Sequence, residues 1–159
     1  MTTISMLING QQKQASNGKT FERKSPLDGK VATTAPAATI EDAIEAIESA
    51  AKAFPEWAAK GPTERRALLL KAANALDAKT EDFIKAMAGE TGSAAMWAGF
   101  NAHLAANMLR EAASLTTQIN GDLIPSDVPG SLAMGVRQPA GVVLGMAPWN
   151  APIILGTRA

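Results

Sequence analysis

The sequence predicts an α/β fold, and three observations point to it. The first 38 residues break short apolar and β-branched runs with Asn-Gly and Pro-x-x-Gly turn signals. From Thr39 to about Ile119 the apolar period becomes helical. An uncharged, Val- and Leu-rich run then leads into a turn bounded by Pro148 and Pro152, as a buried strand leads into a helix.

In chain order, Asn9-Gly10 follows apolar Met6-Leu7-Ile8 and precedes polar Gln11-Gln12-Lys13, which is a hairpin signal. Asn17-Gly18 marks a second turn. Pro26-Leu27-Asp28-Gly29 marks a third, between strand candidates Phe21–Lys24 and Val31–Ala35. Together these residues read as an edge meander laid against something larger.

Thr39-Ile40-Glu41-Asp42 has the form of a capping box, with acidic residues where they favour the helix dipole. Ile40, Ala43, Ile44, Ile47, Ala51 and Phe54 share one face of the helix that follows, and Pro55 is expected to end it. Pro62 opens a second helix with stripe Leu68, Leu69, Ala72, Ala73 and Leu76. Thr80-Glu81-Asp82 opens a third, carrying Phe83, Ile84 and Met87 and ended by Gly89 or Gly92. The fourth runs from about Ser93 to about Ile119, with Trp97, Phe100, Leu104, Met108 and Leu115 expected on its inner side. All four stripes read as core.

Asn120-Gly121, Pro125, Pro129-Gly130 and Pro139 then punctuate short segments, of which Ser131 to Gln138 reads as an extended arm. Ala140 to Met146 reads as a short buried strand, and Pro152 as the opening of a last helix. Gln138 to Thr157 is twenty residues without a charge, the length of a membrane span. Pro139, Pro148, Pro152 and the glycines between them argue against one continuous helix there.

Composition excludes several functions. The chain has 159 residues, enough for one sizeable core. Its 15 basic and 15 acidic residues cancel, so no global field attracts nucleic acid or an anionic membrane. With no Cys there is neither disulfide, thiolate metal site nor Cys nucleophile in these residues, and one His, His103, makes no zinc site. His103 lies mid-helix and reads as a surface residue. The opening MTTISMLINGQQ lacks the basic and apolar regions of a signal peptide, so a cytoplasmic location is expected.

The chemistry concentrates in Pro148-Trp149-Asn150-Ala151-Pro152, where an aromatic and an amide stand between prolines. From spacing alone, Asn150 is either a turn amide satisfying backbone groups or a donor aimed at a ligand. GVVLGMAPWNAP, Gly141 to Pro152, resembles the first cofactor-domain strand and adjoining turn of the aldehyde dehydrogenase superfamily. Further matches run in order: Ile8-Asn9-Gly10, Gly18-Lys19-Thr20-Phe21, Ser25 to Gly29, Phe54-Pro55-Glu56-Trp57, Glu64-Arg65, Glu90-Thr91-Gly92 and Arg137 to Val143. The resemblance covers essentially the whole chain.

The resemblance implies the N-terminal part of a Rossmann-like cofactor domain. Residues 1–120 would be strands and helices of that domain, 121–139 an oligomerisation arm, and 140–159 the first strand, turn and helix of its core. It implies that a Cys thiolate attacks an aldehyde, hydride passes to NAD or NADP, and a Glu-activated water releases the acid. Asn150 would be the catalytic oxyanion donor. Met146, Ala147, Pro148, Trp149 and Asn150 would line the nicotinamide end of the cofactor groove, with no metal. Ala151 and the run PWNAPIILGTRA are most similar to the salicylaldehyde and vanillin dehydrogenase branch, which implies an aromatic aldehyde. Gln138 and Ser93 stand where relatives often carry acidic and basic residues. The lysine-bearing strand, the Glu and the Cys lie outside these residues. The expectation is therefore a part of a longer, homo-oligomeric enzyme, inactive by itself; the alternative is a non-catalytic interaction protein.

Overall fold

The computed structural model describes residues 2–159. Its strands begin with β1 (Thr2–Thr3), β2 (Met6–Ile8), β3 (Gln11–Lys13), β4 (Thr20–Lys24) and β5 (Val31–Pro36). β2 and β3 pair as a hairpin with Ile8 opposite Gln11. Asn9 and Gly10 have φ of 52° and 71°, the left-handed pair that a type I′ turn requires. β4 and β5 pair antiparallel around the Pro26–Gly29 turn, as the sequence predicts. The arrangement is more than a meander, because β1 joins β5 in parallel and the hairpin stays outside that sheet.

Four long helices follow: α1 (Ile40–Ala59), α2 (Pro62–Asp77), α3 (Thr80–Thr91) and α4 (Ala95–Ser114), the last running into a 3-10 turn at Leu115–Thr117. The capping box forms. Thr39 Oγ1 accepts the Asp42 N–H at 3.3 Å and the Asp42 carboxylate accepts the Thr39 N–H at 2.8 Å. The same carboxylate takes the Ser16 N–H at 3.2 Å, tying the loop after the hairpin to α1. These donors, Thr39's backbone N–H foremost, hold the Asp42 carboxyl below the ordinary carboxylate range.

Pro55 does not end α1, which continues to Ala59. A proline removes one hydrogen bond, here the one to the carbonyl of Ala51. Ala51 is exposed, so water can take the vacant acceptor. Gly92, in the left-handed region at φ 70°, caps α3.

α4 is the hub, packed against α2, α3 and a final helix, α5 (Pro152–Arg158). Its inner face differs from the expected one. Ala98, Asn101, Ala102, Ala105, Ala106 and Ala113 are the buried positions. Trp97, Phe100 and Leu115 are exposed, and Leu104 and Met108 half-buried. Small side chains let neighbouring helices approach α4 closely, and that closeness moves the large residues to the rims. Arg66 Nε, donating to the Ala113 carbonyl at 3.1 Å, and Arg110, on Asp77 at 2.5 Å, bolt α2 to α4.

The α1 stripe is likewise not core here: Ile40, Ile44 and Ile47 are exposed. Past α4, β6 (Asp122–Ile124) and β7 (Ala133–Gly135) pair as an antiparallel ribbon, and β7 is the part of Ser131 to Gln138 that forms a strand. Ala140–Met146 is not a strand. Its backbone finds no ladder partner among the described residues, and Val143, Leu144 and Met146 lie exposed. A strand needs a neighbour to take its N–H and C=O groups, and apolar, β-branched composition cannot replace one.

Candidate active site

The proline-bounded turn is anchored on its C-terminal side. Pro152 occupies the first position of α5, where its missing N–H costs nothing, and Ala151 is the N-cap. Ala151 and Ile154 are buried, and α5 packs on α4. On its N-terminal side, Met146 and Trp149 are largely exposed.

Asn150 sits between these two environments. Its backbone carbonyl accepts a hydrogen bond from the indole Nε1–H of Trp97 at 3.0 Å. Its side chain is exposed, and among the described residues no protein group is bonded to its amide. Trp97 stacks on Phe100 one turn along α4, with ring centres 5.5 Å apart and planes 23° from parallel. The Trp97 carbonyl accepts from Nδ2 of Asn101, itself fully buried, at 3.0 Å.

Ala147 and Trp149 face a different space, an open cavity of about 520 Å³. Phe83, Met87, Pro152 and Ile153 form much of its apolar wall. Arg23 and Glu90 stand at its polar side, 3.5 Å apart, with Thr33 Oγ1 donating to Glu90 at 2.7 Å. The five residues singled out in sequence are thus divided. Ala147 and Trp149 line this cavity, while Met146, Pro148 and Asn150 do not.

Sequence reasoning missed Trp97, which it assigned to the core stripe of α4. No spacing rule connects residues 97 and 150, so only the folded chain brings them together. His103 is exposed, as expected, with its Nε2 3.0 Å from Asn107 Nδ2. Among the described residues no His, Asp and Glu cluster could hold a metal ion. Among the described residues no helix is long and apolar enough to cross a membrane.

The chain belongs to the aldehyde dehydrogenase family, whose model matches residues 13–159. Among its relatives is a vanillin dehydrogenase of Pseudomonas fluorescens, 60% identical over 159 residues, covering 100% of this chain and 33% of that protein. The structure of a salicylaldehyde dehydrogenase from Pseudomonas putida G7, complexed with salicylaldehyde, superposes with a TM-score of 0.93. It is 47% identical, over 99% of this chain and 32% of that one. An NAD-dependent benzaldehyde dehydrogenase from Corynebacterium glutamicum has a TM-score of 0.90 at 34% identity, over 96% and 34% of the two chains. The chain therefore spans about a third of the length of the relatives it matches.

Proposed function

We propose that these residues are the N-terminal part of an NAD(P)-dependent aldehyde dehydrogenase that oxidises an aromatic aldehyde to its carboxylic acid. The relatives named for vanillin, salicylaldehyde and benzaldehyde support the aromatic class. Asn150 is the oxyanion donor in this reading. As a thiolate from outside these residues adds to the carbonyl carbon, the oxygen gains charge, and in this reading the Asn150 amide N–H donates to it.

The observation that carries the reading is the divided use of Asn150. Its carbonyl is spent on Trp97, while its side-chain amide has no protein partner among the described residues. A turn amide kept only for structure would bond neighbouring backbone, and this one does not. A donor left free of protein partners can turn to developing charge without first breaking a protein hydrogen bond.

The chemistry of residues 146–150 also fits a nicotinamide. Backbone groups of Met146, Ala147 and Trp149 have no main-chain partners among the described residues, and exposed Met146 and Trp149 offer apolar surface. These residues would hold the nicotinamide end of NAD or NADP, which when bound supplies the hydride acceptor. Homo-oligomeric assembly through the β6–β7 ribbon and a cytoplasmic setting belong to the same reading.

The test is a chimera in which these 159 residues replace the corresponding third of the Pseudomonas fluorescens vanillin dehydrogenase. Asn150→Ala in that chimera lowers kcat on vanillin by about 100-fold or more, the usual cost of one oxyanion donor. An unchanged kcat would remove Asn150 from the chemistry. The 159-residue chain alone, with no Cys, gives no turnover. The non-catalytic interaction reading draws on the apolar ribbon, where Leu123, Leu132 and Met134 are exposed. A chimera without turnover whose 159-residue piece still self-associates would favour it.

A further inference from the structure

We propose that Trp97 is the positioning residue for Asn150: its indole N–H, from α4, sets the orientation in which the turn presents the amide. The inference rests on the oxyanion reading and adds to it a second residue, 53 positions away, that acts through the first.

The turn needs such a hold. From Ala140 to Asn150 the backbone makes no ladder, and among the described residues the contact with Trp97 is the one side-chain hydrogen bond received by that segment. Pro148 and Pro152 fix their own φ angles, yet neither fixes the peptide plane that leaves Asn150. A hydrogen bond to the Asn150 carbonyl fixes that plane, and with it the direction in which Cα carries the side chain. Ala151 and Ile154, buried against the helical core, secure only the downstream end.

Trp97 suits this work for chemical reasons. Indole is a donor and not an acceptor, so it can hold the carbonyl without competing for the amide N–H that must remain free. The ring is itself braced. It stacks on Phe100, and fully buried Asn101 adds a side-chain hydrogen bond to the Trp97 carbonyl. The line of support therefore runs from the buried face of α4, through Trp97, to the amide. This also accounts for a large aromatic standing at the rim of a helix whose inner face is alanine.

Two changes remove the donor. Trp97→Phe keeps an aromatic ring against Phe100, and benzothienylalanine at position 97 keeps the full bicyclic shape with sulfur in place of N–H. In the 159-residue chain, 15N relaxation reads the turn directly. Backbone order parameters of Ala147, Trp149 and Asn150 fall from the rigid range of about 0.85 toward 0.6 with benzothienylalanine, while those of α2 stay fixed. Unchanged order parameters would overturn the proposal.

In the chimera, either change lowers kcat about fivefold, the factor one ordinary hydrogen bond is worth, with little effect on KM. In an Asn150→Ala background the same change costs nothing further, because the residue it positions is gone. An equal loss in both backgrounds means that Trp97 acts elsewhere and sinks the inference, as does no loss in either. If Asn150→Ala itself leaves kcat intact, or the chimera has no turnover, the oxyanion reading fails. The relaxation result then decides alone whether Trp97 holds the turn.

Discussion

Replacing Ala102 with Leu puts an isobutyl group where α4 now has a methyl. The site has no room for it: Ala98, Ala102, Ala105 and Ala106 each have 0% of their surface exposed. Leu and Ala have similar helix propensity, so the cost comes from packing and not from the backbone. Overfilling a close-packed site costs about 1–3 kcal/mol. For a chain of this size about 2 kcal/mol lowers the melting temperature by roughly 4–8 °C. Ala112→Leu is the control, because Ala112 lies on the exposed side of the same helix. It should stay within about 0.5 kcal/mol of the parent. Thermal unfolding of the 159-residue chain, followed by circular dichroism at 222 nm, compares the two. The sequence pattern, which turned Trp97, Phe100 and Leu104 inward, makes Ala102→Leu as harmless as Ala112→Leu. Equal melting temperatures would therefore refute the alanine-faced core and restore the aromatic one.

Three further outcomes are expected beside those for Asn150 and Trp97. Thr39→Ala removes the acceptor at the start of α1 and costs about 1 kcal/mol in urea unfolding. The companion carboxylate, Asp42, is held below its ordinary pKa by Thr39's backbone N–H first and then Ser16's. A lowered folded-state pKa stabilises the fold above the unfolded value of about 3.9, and the contribution is lost as pH falls through the folded value. Asp42→Asn should therefore lower stability at pH 7 and flatten its decline below about pH 4; an acid limb of unchanged slope would remove Asp42 as its source. Gly121→Ala would bring a Cβ to 2.4 Å from the Gly135 carbonyl oxygen, so the β6–β7 ribbon must open at its base. Hydrogen exchange of the Asp122–Ile124 amides should quicken while α4 stays protected, and equal exchange rates would show that the ribbon accommodates the methyl.

Legibility in the sequence followed the range of the forces involved. The Asn9-Gly10 turn, the Thr39 capping box, Pro62 and Pro152 at helix starts and Gly92 at a helix end depend on a few consecutive residues. All were readable. Pro55 was misread because a helix can forgo one hydrogen bond when the orphan carbonyl reaches water, and exposure is not a local property. The α4 face was misread for a related reason. Apolar periodicity ranks Trp and Phe above Ala, but a helix packed on three neighbours selects for closeness, and the alanines win. At the site, the turn and its amide were legible as a motif, and the Trp97 tether was not.

The run from Ala140 to Met146 shows how far a strand is a property of pairs. Its Val142, Val143 and Leu144 have the branched and apolar side chains that half-buried or buried strands favour, and they lie open here. Among the described residues, backbone amides in that run have no ladder to join, so composition leaves the segment unpaired. The neighbouring turn is held all the same, because its supports come from α4 and α5 and not from a sheet. Two kinds of order therefore meet at Met146. Upstream, among the described residues, nothing shares a ladder with the chain; downstream, the Asn150 carbonyl is held by Trp97 from within these residues. That difference is why the turn, and not the apolar run before it, can be tested in the isolated chain.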